Sequence, residues 1–413
     1  MTKWTIPTGW KFCRLKDVVS CNDEALGDKS LPPEEKIEYV EIGDVEFAKG
    51  IANTAHIPFG QAPSRARRIT HTGDVIVSTV RTYLRAVAKV PREGLIVSTG
   101  FAVLRQKKID GNFLAYYCSS DPFTDQVIAE SSGISYPAIS ASKLVCLYLP
   151  LPPVEEQRAI AAYLDEKCGK IDKLIEVKEG EVGLLKEMKQ GVIGEAVTRG
   201  LRGGALRASS IPWLPMVPEG WEIKPLRAFL RLVSKKGQPE RQLLSVTREQ
   251  GVIIRDCEDK EANHNFIPED LTNYKVVDAG DFVVNKMKSW QGSYGVSSYD
   301  GIVSPAYYVC KLKNVNKEFF SRAIRSRAYV SLFARMSKGI RVDQWDLEKT
   351  ALKEIPFLLP PVAEQEEIVG YLDAKCGELD EAVGVLEKQV EHLKELKQSM
   401  IADFVTGKRR VQL

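Results

Sequence analysis

Apolar positions along the chain fall into two alternating regimes. Over residues 171–197, Ile171, Ile175, Val182, Leu185, Val192 and Ala196 recur at helical spacing, with Lys178 and Lys189 interrupting the stripe. Over 379–393, Leu379, Val383, Leu386, Val390 and Leu393 step by 4, 3, 4 and 3, a heptad-type period that Met400, Phe404 and Val405 prolong. Each run predicts a long amphipathic helix, and the first would span about 40 Å from Ile171 to Val197. Pro152-Pro153 and Pro360-Pro361 sit just ahead, where proline is tolerated at a helix start. Two such stripes in one chain can cover each other as an antiparallel coiled coil; a helical hairpin inside a core is the other outcome of the periodicity. The intervening stretches carry short β-like runs between turns: Tyr39–Ile42, Asp74–Ser78, Leu95–Ser98 and Phe101–Leu104, then Leu243–Val246, Phe282–Asn285 and Tyr307–Cys310.

The chain is written twice. Leu151-Pro152-Pro153-Val154-Glu155-Glu156-Gln157 returns as Leu359-Pro360-Pro361-Val362-Ala363-Glu364-Gln365, an offset of 208, and 14 of the 22 positions from Leu151 to Asp172 are identical in the second copy. Upstream the repeat is fainter. Pro7-Thr8-Gly9-Trp10 answers Pro218-Glu219-Gly220-Trp221, Gly73-Asp74 answers Gly280-Asp281, and Ser132-Gly133-Ile134 is echoed by Lys338-Gly339-Ile340. One element is held constant while the other diverges, which suggests a shared scaffold carrying two different readers. The expected division is 1–150 and 217–358 for the variable domains, 151–200 and 359–413 for the repeated helices, and a Gly- and Ser-containing linker at 201–216. The fold class is α+β: two mixed domains separated by two long antiparallel coiled-coil helices, with an internal pseudo-two-fold repeat.

Composition narrows the function classes. The 413 residues are 44% hydrophobic and 27% charged, with a formal net charge of only +3, so a nucleic-acid surface has to come from local clustering. Such clusters exist. Residues 65–92 hold seven basic side chains against Asp74 alone, and 322–341 hold six with no acid. The first helical region, 154–199, has ten acids and eight bases, a balance that suits protein partners. No long apolar run or signal segment is present, and none of the eight cysteines forms a Cys-x-x-Cys pair, so reduced thiols in a cytoplasm are expected.

A Pro-Pro-x-x-Glu-Gln helix start present twice, each copy following a divergent domain that begins Pro-x-Gly-Trp and carries Gly-Asp before a strand, resembles the specificity subunit of type I restriction–modification systems. The resemblance covers essentially the whole chain. It implies that the variable blocks are target-recognition domains, each reading half of a split, asymmetric site in double-stranded DNA. It also implies that the repeated helices act as a ruler and dock two modification (methyltransferase) subunits, with restriction subunits completing the nuclease. S-adenosylmethionine, ATP and magnesium would then reside on those partners, and no cofactor, metal or catalytic residue is expected in this chain.

On that reading the DNA contacts expected in the first domain are Arg65, Arg67, Arg68, Arg81, Tyr83, Arg85 and, after Gly133, Ser135. Those in the second are Lys286, Lys288, Gln291, Tyr294 and, after Gly339, Arg341. Basic and planar side chains of this kind hold phosphates and read base edges. The docking and spacer positions expected are Pro153, Gln157, Ile160 and Leu164, repeated as Pro361, Gln365, Ile368 and Leu372.

Two rival classes fit the sequence less well. A free-standing methyltransferase or nuclease would need an Asn/Asp/Ser-Pro-Pro-aromatic loop or a Gly-rich cofactor stretch; Ser120-Asp121-Pro122-Phe123 has one proline and reads as a turn, and Gly27-Asp28-Lys29-Ser30 lacks the upstream glycine of a phosphate loop. His56, His71, His264 and His392 are scattered, without metal spacing. A coiled-coil scaffold without DNA function leaves both basic clusters unexplained.

Overall fold

The computed structural model describes all residues except 1–5, 48, 134–135, 210, 212–213, 257–266, 340–344 and 412–413. The chain forms two compact units, residues 1–179 with 387–413 and residues 180–386. Two helices, Val154–Arg199 and Val362–Val405, each contribute part of their length to both units.

In the first unit an antiparallel sheet runs in the order Val19–Cys21, Phe101–Gln106, Val75–Ser78, Val87–Lys89. Val75-Ile76-Val77-Ser78 is buried throughout, as expected of a β-branched run covered on both faces. A second sheet orders Ala55–Pro58, Lys36–Val40, Leu95–Ser98 and Ala66–Ile69, with Leu95–Ser98 parallel to Lys36–Val40. Lys11–Arg14 pairs with Tyr148–Leu151, tying the start of the domain to the strand that leads into the long helix. Helix Gly111–Cys118 packs Phe113, Leu114 and Tyr117 into a core that also takes Ile160, Leu164, Phe404 and Val405 from the long helices. Ser120-Asp121-Pro122-Phe123 is no turn: Ser120 is the N-cap of helix Asp121–Ala129, and proline is accommodated in its first turn, where an N–H has no intrahelical partner.

The second unit repeats the scheme. Leu230–Val233, Tyr307–Leu312, Asp281–Asn285 and Tyr294–Val296 form the antiparallel sheet, and Glu222–Pro225 pairs with Pro356–Leu359. Its core gathers Phe282, Phe320, Phe357 and Trp221 with Ile368 and Leu372 of one long helix and Ala196 and Val197 of the other.

Within each unit the long helices pair antiparallel. In the first, Lys397 meets Asp172 at 2.7 Å and Lys394 meets Glu179 at 3.2 Å; in the second, Lys189 meets Asp380 at 2.6 Å. Residues 171, 175, 178, 182, 185, 189, 192 and 196 are each at least partly buried at alternating steps of four and three. The lysines that interrupt the apolar stripe therefore keep its phase, and Lys189 uses its position to reach an acid on the other helix.

The repeated motif explains itself in these contacts. In each unit the glutamine side chain bridges two backbone groups at the helix start: Gln157 donates to the Pro152 carbonyl at 2.7 Å and accepts from the Asp110 N–H at 2.7 Å. Gln365 does the same with Pro360 at 2.8 Å and Asn316 at 3.0 Å. Asp110 and Asn316 are themselves N-caps of a neighbouring helix, so one glutamine fastens the long helix to the domain and holds the cap in place. Beside it, Glu156 accepts from the Trp10 indole at 3.1 Å and Glu364 from the Trp221 indole at 3.0 Å. Each tryptophan closes a Pro-x-Gly-Trp turn whose glycine sits at positive φ, +91° for Gly9 and +85° for Gly220, a region where a side chain would clash.

Candidate nucleic-acid interface

In the first unit the end of the fully buried strand Val75–Ser78 runs into a tight turn, Arg81–Arg85. Both ends of that turn are left-handed: Arg81 at φ 49°, ψ 48° and Arg85 at φ 51°, ψ 36°. Non-glycine residues take this conformation rarely, and two in five residues mark a loop that its surroundings over-determine. Those surroundings are a second loop. Ser132 and Ala138 exchange backbone hydrogen bonds that close it, Ile139 donates to the Thr79 carbonyl at 2.9 Å, and the Thr82 and Ser131 hydroxyls meet at 2.8 Å.

The second unit has the same pair. Lys338 and Asp346 close the loop, Leu347 donates to the Lys286 carbonyl at 3.0 Å, and the Ser289 and Ser337 hydroxyls stand 3.4 Å apart. Arg81 thus corresponds to Lys288, Thr82 to Ser289, Tyr83 to Trp290 and Arg85 to Gly292, which is again left-handed at φ 94°.

The chemistry on the two frames differs. In the first, exposed Arg81 stacks on exposed Tyr136, its guanidinium carbon 5.1 Å from the ring centre, next to exposed Tyr83 and Leu84. In the second, exposed Met287 and Lys288 flank Trp290, which packs on Trp345 at 5.2 Å with its indole N–H buried and without a partner among the described residues.

Residues 7–181 match the profile of the type I restriction modification DNA specificity domain. Over 98% of this chain and 95% of the relative, the sequence is 22% identical to the putative type I restriction enzyme MjaX specificity subunit of Methanocaldococcus jannaschii. The EcoKI specificity subunit of Escherichia coli K12 is 24% identical over 82% of this chain and 75% of its own length. The MjaVIII specificity subunit of M. jannaschii reaches 27%, over 43% of this chain and 42% of that protein. A chain from a solved type I restriction–modification assembly covers 98% of this one and is itself covered completely, with a TM-score of 0.70 at 22% identity, which is a likeness of fold. Residues 7–181 thus carry a type I restriction modification DNA specificity domain, and the chain as a whole is similar to type I specificity subunits.

Several side chains expected to touch DNA do other work. Tyr294 is fully buried, stacked on Phe333 at 4.0 Å, and burial pushes its phenol well above the ordinary range; it is a core residue. Arg85 is bound by Asp121 at 2.6 Å and Asp125 at 2.7 Å and lies against Phe47. Arg65 is paired with Glu41, Arg67 with Asp28 and Lys286 with Asp346. Arg68 is half-buried, its Nε without a partner among the described residues, and Gln291 is also half-buried. Ser135 and Arg341 lie outside the described residues. The basic runs are thus weaker as fields than in the linear sequence, because acids from distant segments neutralise them. In the second run, Arg322 pairs with Asp373 and Arg327 with Glu187, and Arg325 donates to the carbonyls of Tyr294, Arg248 and Glu249.

The docking positions also need correction. Gln157, Ile160 and Leu164, with Gln365, Ile368 and Leu372, are buried within their own units, so the identical stripe is consumed in fastening helix to domain and offers no surface to a partner; Pro153 and Pro361 alone of the set are exposed. The 208 offset also exposes one feature beyond the expected positions. Val197-Thr198 and Val405-Thr406 repeat at the far helix ends, where each threonine hydroxyl donates to a carbonyl four residues back at 2.6 Å. Tyr136 had no such signal: at offsets of 206 to 208 the second copy has Val342, Asp343 and Gln344, none of them aromatic. Among the described residues there is no cluster of metal-ligating side chains and no helix long and apolar enough to cross a membrane.

Proposed function

We propose that this specificity subunit reads a bipartite, asymmetric DNA site, one half through the paired loops around Arg81 and Tyr136 and the other through those around Lys288 and Trp290. The observation that supports this most directly is the matched frame itself: corresponding backbone hydrogen bonds and a left-handed residue closing each turn present unlike side chains, as expected of two readers with different targets. The paired helices set the gap between the halves and dock two modification subunits, and restriction subunits complete the assembly. Catalysis, with S-adenosylmethionine, ATP and magnesium, resides on those partners in the cytoplasm.

Docking surface remains after the repeated stripe is buried. Leu174 and Val177 in the first unit and Leu184 and Met188 in the second are exposed on the long helices. The first unit also has a groove of about 1970 Å³ whose walls include Phe12, Tyr148, Ile175 and Lys394, with the Phe12 and Tyr148 rings stacked at 4.9 Å. A groove of this size and mixed polarity suits a protein segment.

A block exchange tests the reading. Replacing residues 6–151 with the equivalent block of another specificity subunit moves both strands of the Lys11–Arg14/Tyr148–Leu151 pair together. With modification subunits and S-adenosylmethionine supplied, mapping of methylated adenines is expected to show one half-site changed and the other intact. Change in both halves, or in neither, overturns it.

A further inference from the structure

Building on the proposed two-loop reading, we infer that Arg81 reads a guanine in the first unit's half-site, and that Tyr136 is the residue that positions it.

Four observations converge on Arg81. Four of its six neighbours in the basic run, Arg65, Arg67, Arg85 and Arg92, are each paired with a carboxylate, while Lys89 donates to Asn112 and Arg68 is half-buried. Arg81 is exposed and has no acid within ion-pair reach among the described residues. Its backbone occupies the left-handed region, where a residue without a long side chain would sit more easily, so the side chain rather than the turn accounts for an arginine here. Finally, the turn that carries it is hydrogen-bonded to the loop that carries Tyr136, through Thr79 to Ile139 and Thr82 to Ser131, so the cation and the ring are held on one frame.

Stacking decides the chemistry. The Arg81 guanidinium carbon lies 5.1 Å over the Tyr136 ring, and a cation held over a ring by its face keeps its in-plane N–H donors available. A planar fork with two free parallel donors matches the O6 and N7 acceptors that guanine presents in the major groove. A phosphate contact needs only a point charge, which is what Lys288 supplies at the equivalent place in the second unit. An arginine free to rotate would have to be ordered on binding; one already stacked loses less freedom. Tyr136 therefore acts through Arg81, and its aromatic face, not its hydroxyl, is the feature required.

The full chain assembled with its modification subunits and S-adenosylmethionine gives the readout, by mapping methylated sites. The first half-site is expected to contain a guanine. Arg81→Ala and Arg81→Lys are expected to lower the preference for guanine at that one position by roughly 5- to 150-fold and to leave the other positions alone. Arg81→Gly, which relieves the left-handed backbone, should do the same and so separates loss of reading from loss of folding. Tyr136→Phe should match the parent chain, and Tyr136→Ala should fall between parent and Arg81→Ala. An unchanged motif with Arg81→Ala, an even loss over all sequences, or loss of discrimination at a base other than guanine overturns the assignment. Tyr136→Ala indistinguishable from the parent removes Tyr136 from it. If the block exchange of residues 6–151 alters one half-site while Arg81→Ala alters nothing, only this inference fails; if the exchange alters neither half, the two-loop reading fails beneath it.

Discussion

The two units agree where helix meets domain and disagree where the sheet ends. At the collar the agreement is nearly atom for atom: Trp10 on Glu156 and Trp221 on Glu364, Gln157 bridging Pro152 and Asp110, Gln365 bridging Pro360 and Asn316. At the loop pairs only the backbone hydrogen bonds agree, and the side chains change from Arg81 with Tyr136 to Lys288 with Trp290 and Trp345. Residues at the collar answer to other residues of the same chain, so their identity is set by internal geometry. On the proposed reading, residues at the loop tips answer to DNA outside the chain, and two different half-sites would leave them free to differ.

The largest expected effect lies in the collar. Each glutamine is almost wholly buried and satisfies one donor and one acceptor of the backbone. Removing it leaves both unpaired in a place water does not reach, and each such group costs about 1–3 kcal/mol. Gln157→Ala and Gln365→Ala are therefore each expected to destabilise by about 2–4 kcal/mol, the first in residues 1–179 and 387–413, the second in 180–386. Hydrogen exchange followed unit by unit reads this. Equal loss in both units from either substitution would show that the collars are not separate fastenings.

A smaller effect probes where the collars differ. Glu156 is nearly inaccessible and accepts from the Trp10 indole at 3.1 Å and from the Arg410 guanidinium at 2.9 and 3.0 Å; Glu364 is half-buried and its indole bond to Trp221 has no such arginine beside it among the described residues. Hydrogen bonds to a charged acceptor contribute about 1.5–3 kcal/mol, more than neutral ones. Glu156→Ala is expected to cost about 1 kcal/mol more than Glu364→Ala in chemical denaturation. Arg410→Ala should remove most of that difference, and a difference that survives it would place the cause elsewhere.

The collar was legible in the sequence and the reading face was not, for a physical reason. Heptad spacing and a verbatim repeat report on burial within the chain, and Ile160, Leu164, Ile368 and Leu372 are all buried. The same signal does not report on role, because a residue repeated for internal fastening and one that meets a partner leave the same repeat in the sequence. Linear charge misled in another way. Arg67 is 39 residues from Asp28 and Arg85 is 36 and 40 from Asp121 and Asp125, so their neutralisation appears only once the chain is folded. Tyr294 reads as an exposed aromatic in a polar run, yet it is the first residue of a central-sheet strand, facing Phe282 and Phe333. The exposed place of Arg81, just past a buried strand, can be seen without the fold.

The smallest effect compares one turn that the units share. Asp74 accepts from the His71 N–H at 2.9 Å and binds Arg105 of the adjacent strand; Asp281 accepts from the Asp278 N–H at 3.0 Å and binds Lys311 in the same way. The turns differ in their first residue. His71 lies between Glu24 at 3.0 Å and Glu93 at 2.8 Å, and these carboxylates raise its pKa above the usual histidine value against the opposing charge of Arg105. Asp278 is held below the usual carboxylate range by Lys311 and Arg241. A raised histidine stabilises fully below its unfolded value of about 6.5 and loses that contribution as pH rises through its folded value. A lowered aspartate stabilises above its unfolded value of about 3.9 and loses the contribution as pH falls through its folded value. Glu24 and Glu93, lowered by Arg105 and His71 and by the Thr72 N–H and His71, add a loss in acid to the first unit as well. Acid should therefore weaken both units, whereas going from pH 6 to above neutrality should weaken the first alone. The ring is partly exposed, so solvent screens the pairs and the shift should be about 1–2 °C in melting temperature, read by hydrogen exchange or by a probe in each unit. His71→Gln should flatten the first unit's profile above pH 6, and Asp278→Asn should act only on the second unit's acid limb. A second unit that weakens equally between pH 6 and 8 would assign the alkaline loss to a group the units share, and His71 would be only a surface residue.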